Sequence, residues 1–130
     1  MKKQNKVKMM SLEDMISSQS KWKTWLNVVR KRLKKVQAIE LTRENLGEIK
    51  SLEASYTFFI DQIDMMVFIY AGMINLAKND ELEQYVFERA VKELKIINSE
   101  LRKEYESRTF KDLNNKYFDG IKEAKVITSL

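Results

Sequence analysis

The chain has no cysteine, no histidine and no proline, and only three glycines, Gly47, Gly72 and Gly120, in 130 residues. Each absence closes off a class of chemistry or of fold. Without cysteine there are no disulfides, thiolate zinc sites or cysteine nucleophiles. Without histidine the usual general base at neutral pH and the commonest metal ligand are both missing. A β-rich domain needs turn residues about every 8 to 12 positions, and so little glycine and proline cannot supply them. Long helices need few, so an all-α fold is expected. Neither G-x-G-x-x-G nor G-K-[ST] occurs, so a glycine-rich phosphate loop is absent too. Neither enzymatic activity nor a cofactor is expected.

What is present is material for a core. Apolar residues make up 44% of the chain, with six Phe, five Tyr and two Trp. That is enough to order one domain of this length. Residues 1–10 read as a basic arm and 11–130 as a single helical-bundle domain. No apolar stretch of signal-peptide length follows Lys2, Lys3, Lys6 and Lys8, so a cytoplasmic location is expected. The abundance of Lys, Ile and Asn points to an AT-rich genome. A small accessory protein of a phage or other mobile element fits that composition.

Four helices are legible in the spacing of apolar residues. Ser11 is placed to cap the first, which should run over 12–38 with an interruption at Ser17-Ser18-Gln19-Ser20. Its face is Trp22, Leu26, Val29, Leu33 and Val36, at steps of four and three. Thr42 is expected to cap a long central helix over 43–78. Its seam, Ile49, Leu52, Tyr56, Phe59, Ile63, Met66, Tyr70, Met73 and Ala77, holds for four heptads. Asp80 and Glu83 have the spacing of a capping box for a third helix, with Phe87, Val91, Leu94, Ile96 or Ile97, Leu101 and Tyr105 inward. Thr109 with Asp112 should cap a fourth, striped by Phe110, Leu113, Tyr117, Ile121 and Ala124. Short links make an antiparallel bundle of about four helices the expected architecture.

The central helix has more apolar surface than one bundle face uses. From Met65 to Ala77 only Asn75 breaks the apolar and aromatic run, after Asp61 and Asp64. A membrane span needs about 20 apolar residues, so no span is expected. A second seam, Phe58, Met65, Ile69, Gly72 and Leu76, lies well round from the first, and Phe68 faces another side again. Either neighbouring helices hide this excess, or Met65, Phe68, Ile69, Gly72 and Leu76 form a protein interface. Asp61 and Asp64 have the spacing of paired carboxylates, but they read as solvated acids, because bundle metal sites of that kind add histidine.

Charge is divided along the chain. Residues 1–36 hold eleven Lys or Arg against two acids, net +9, and residues 37–130 hold thirteen against seventeen, net −4. The positive pole centres on "KWKTWLNVVRKRLKK", residues 21–35. At 100° per residue Lys23, Arg30 and Lys34 form a stripe beside the apolar face, with Lys31 and Lys35 farther round. These five are the candidate site for a nucleic-acid backbone or an acidic protein surface. An anionic membrane surface and an ordinary basic outer face are the remaining readings. No zinc ligands, RRM aromatics or helix-turn-helix glycine turn are present, so any nucleic-acid contact would be to backbone or shape, without sequence specificity. The sequence thus points to a non-enzymatic accessory or adaptor protein acting through its basic helix inside a larger assembly. The alternative is a protein-directed inhibitor or scaffold, possible as a homodimer, acting through the excess apolar face.

Overall fold

A computed structural model describes residues 8–118 and contains four helices. These are α1 (Leu12–Gln37), α2 (Leu46–Lys78), α3 (Gln84–Tyr105) and α4 (Arg108–Tyr117). The all-α bundle and its long central helix are as the periodicity predicts. Residues 1–7 of the basic arm, and Gly120, Ile121 and Ala124, lie outside the described residues.

Helix α1 starts where Ser11 accepts a hydrogen bond from the Asp14 amide at 3.0 Å, with Glu13 and Asp14 in the first turn against the positive end of the dipole. The expected break at Ser17–Ser20 does not occur. The polar stretch faces α2 instead: Gln19 Nε2 donates to the Val67 carbonyl at 3.2 Å. Further contacts, Arg30 with Asp64 and Gln37 with Glu53, advance along α1 as they recede along α2. The two helices are therefore antiparallel.

Helix α2 begins at residue 46, three residues later than Thr42 implied. Thr42 still organises the approach, its hydroxyl accepting from the Asn45 amide while Asn45 Oδ1 accepts from the Thr42 amide. That reciprocal pair is a capping box with Asn in the place of Glu. The predicted seam is buried from Ile49 to Met73, and Ala77 packs against it half-buried. At the far end Glu81 N–H donates to the Leu76 carbonyl at 2.8 Å and Asp80 N–H to Ala77 at 3.1 Å, a Schellman closure. Asp80 holds φ 54°, the left-handed conformation that closure demands. The expected Asp80–Glu83 capping box is thus not formed. Asp80 ends α2, and Glu83 precedes α3 without a side-chain cap bond.

Of the two candidates in α3, Ile97 is buried and Ile96 exposed. Ser107, not Thr109, caps α4, accepting from the Phe110 amide at 3.2 Å. Helix α4 does not turn back on α3. Ser55 meets Glu104, Tyr56 meets Phe110 and Asn114, and Glu48 meets Lys116, so α3 and α4 together run antiparallel to α2 as one helix broken at Glu106–Ser107. The rings of Trp25, Phe59, Tyr105, Tyr56 and Phe110 fill the space under that break, with neighbouring centroids 5.1–6.0 Å apart. Both indoles serve as bulk: Trp22 is 0% and Trp25 3% exposed, and among the described residues neither Nε1 has a hydrogen-bond partner.

Candidate functional site

Packing against α2 fixes which way α1 presents its charge. With Met15, Trp22, Trp25, Leu26, Val29 and Val36 turned inward, the opposite side faces solvent. From residue 20 to residue 35 eight positions are exposed: Ser20, Lys23, Thr24, Asn27, Arg30, Lys31, Lys34 and Lys35. Every one carries a hydrogen-bond donor and none is acidic. The lysines extend over about 18 Å of helix axis at 1.5 Å per residue.

The five predicted residues are not equivalent. Arg30 NH2 lies 3.4 Å from Asp64 Oδ1, so its charge is shared with α2 at the margin of the face. Lys23, Lys31, Lys34 and Lys35 have no acid within 4 Å among the described residues. Lys21 and Arg32 are half-buried on the other flank, Arg32 stacking its guanidinium 4.4 Å from the Phe118 ring centroid. The available site is therefore four lysines, with Arg30 engaged at one edge.

The second predicted set divides as well. Phe68 is 79% and Met65 48% exposed, and Gly72 is exposed, whereas Ile69 and Leu76 are half-buried. The neighbouring helices do not hide the excess apolar face. By length and composition alone α2 is apolar enough to cross a membrane, although the sequence run looked too short. One third of that window is buried inside the protein, and the core helix of a soluble bundle meets the same test.

Two polar clusters escaped the sequence reading. Glu48 accepts from Lys116 Nζ at 2.9 Å on each oxygen and from the Tyr117 hydroxyl at 2.6 Å. The Tyr117 bond, then the Lys116 bond, hold Glu48 below the ordinary carboxylate range. The same bonds to Glu48 raise Tyr117 and Lys116 above their ordinary values. Buried Asn114 accepts from the Tyr56 hydroxyl. Asn114 sits four residues after Phe110, within the apolar stripe of α4, and that placement was a readable signal. The Glu48 cluster spans 69 residues of sequence, and no local pattern reports such a contact. Both clusters clamp α4 to α2. Burial raises the Tyr70 hydroxyl above its ordinary value. Among the described residues no group of three or more metal-ligating side chains converges. No protein-family model, characterised protein or solved structure matches this chain.

Proposed function

We propose that this protein is a non-enzymatic, cytoplasmic accessory protein that holds the backbone of a nucleic-acid duplex on the outer face of α1, as part of a larger assembly. The observation that carries this reading is the run of eight exposed donor side chains, free of acids, between Ser20 and Lys35. Lysines neutralising phosphates release condensed counterions, which supplies affinity without sequence readout. Ser20 and Asn27 add neutral donors of the kind that commonly reach phosphate oxygens, while the Thr24 hydroxyl donates to the Ser20 carbonyl at 3.1 Å.

The competing readings ask for features this face does not have. A membrane-surface helix turns its tryptophans toward lipid, and here both are buried. A protein interface draws most of its energy from Trp, Tyr and Arg anchors; the eight positions hold no aromatic residue, and their one arginine, Arg30, is engaged by Asp64. Single-strand binding uses exposed aromatics for stacking. Helix α2 is read as a core helix, because its heptad seam is buried against its neighbours.

The test is fluorescence anisotropy with a labelled random duplex at low salt, against polyglutamate as a model acidic partner. The expected result is saturable duplex binding that polyglutamate competes for only weakly. Tight polyglutamate binding without duplex binding would replace nucleic acid by an acidic protein partner.

A further inference from the structure

The outward face of α2 around Phe68 is uncovered, with Phe68 79% and Met65 48% exposed. Nothing lies within 4 Å of where a side chain on Gly72 would begin. At 100° per residue these three fall within about 60° of one another, with Asp61 and Asn75 flanking them on the same side. Between Met65 and Leu76 α2 has no charged residue. A strongly acidic or basic partner would find no complement there. Contiguous exposed apolar surface of this kind commonly marks an interaction site.

We propose that a second copy of the same face covers it, the two α2 helices crossing antiparallel about a two-fold axis that passes between Phe68 and Ile69. The pattern of the face is self-complementary under that operation. Bulky Met65 and Gly72, which has no side chain, lie at equal distances of about 5 Å on either side of the axis. The two-fold therefore seats each Met65 over the gap at the other copy's Gly72. It also brings each Asp61 carboxylate beside the Asn75 amide of the other copy and keeps the two Asp61 residues about 22 Å apart. Parallel pairing would set the two carboxylates opposite one another.

Area bounds the strength. Taking roughly 200 Å² for each full side chain, Phe68 and Met65 expose about 250 Å² together. Half-buried Phe58, Ile69 and Leu76 bring the apolar patch to roughly 400 Å² per copy. With a polar rim, two copies reach the low end of specific interfaces, about 1,200 Å² in total. The dimer should be reversible, and it does not depend on the duplex-binding reading.

Sedimentation equilibrium of the full chain, from micromolar to hundreds of micromolar, tests this in the absence of nucleic acid. The mass should rise from one chain toward two. Phe68→Glu should weaken the dimer at least tenfold with unchanged far-UV helicity. Gly72→Leu, which the open space around Gly72 allows the monomer to accept, should weaken it similarly by filling the gap. A chain without native cysteine also reports orientation cleanly: Ile69→Cys should oxidise to a covalent dimer and Asp61→Cys should not. A wild-type mass of one chain throughout would overturn the proposal. So would undiminished dimerisation of folded Phe68→Glu and Gly72→Leu, or cross-linking through Asp61→Cys in preference to Ile69→Cys.

Discussion

Individual side chains show how narrowly the core is filled. Trp22 is wholly buried on α1, between the residues that meet α2 at Gln19–Val67 and Arg30–Asp64. Trp22→Ala should cost about 3–5 kcal/mol, as large-to-small core changes do, and urea denaturation will measure it. An unchanged midpoint would mean that the inward face of α1 is wrongly assigned. The Tyr56–Asn114 pair is a different kind of core residue, a hydrogen bond inside an aromatic cluster. Tyr56→Phe keeps the ring and strands the Asn114 oxygen, so it should cost about 1–3 kcal/mol. Asp80 carries the opposite sign. Its φ of 54° is one that side chains with a Cβ adopt at a cost. Asp80→Gly should therefore stabilise the fold by about 0.5–1 kcal/mol in the same denaturation series.

At the scale of elements, helical periodicity located what repeats and missed what occurs once. The seam of α2 is buried in the register its steps of three and four require, because each of those positions meets a neighbouring helix. Helix ends were less legible. Asp80-Glu81-Leu82-Glu83 has the letters of an N-terminal cap, yet the chain uses Asp80 to close α2, since its left-handed backbone lets the Asp80 and Glu81 amides reach the Ala77 and Leu76 carbonyls. The basic face of α1 was visible as a stripe, but the coupling of Arg30 to Asp64 depends on a contact 34 residues away. Helix α4 depends most on such distant contacts, being only ten residues long and held to α2 through Glu48. Hydrogen bonds from Tyr117 and Lys116 lower the Glu48 pKa in the folded state, so they favour the folded state while Glu48 is ionised. Their contribution is present above the ordinary carboxylate range and is lost as pH falls through and below it. Acid titration followed by Tyr117 chemical shifts should show α4 loosening there, and Glu48→Gln should remove that pH dependence. A wild-type acid profile identical to that of Glu48→Gln would assign α4 docking to Phe110 and Asn114 alone.

For the whole molecule, the separation of charge matters more than the net +5. No acid occurs in the sequence between Asp14 and Glu40, and folding turns one side of that stretch of α1 to solvent, with Asp64 of α2 meeting it only at Arg30. Replacing Lys23, Lys31, Lys34 and Lys35 together by Glu should leave helicity intact, because all four side chains project into solvent. Arg30 is left unchanged in that variant, since Glu at position 30 would stand against Asp64. The most direct measurement is the salt dependence of duplex affinity for the wild type and this fourfold variant, with circular dichroism as the control on folding. Each lysine on a phosphate adds about −0.9 to the slope of log K against log salt, so four should account for about −3.6. The prediction is a steep wild-type slope that flattens by about 3 to 4 in the variant, together with loss of affinity at about 50 mM salt. Equal slopes and equal affinities for the two folded proteins would contradict the assignment of α1 as the binding face.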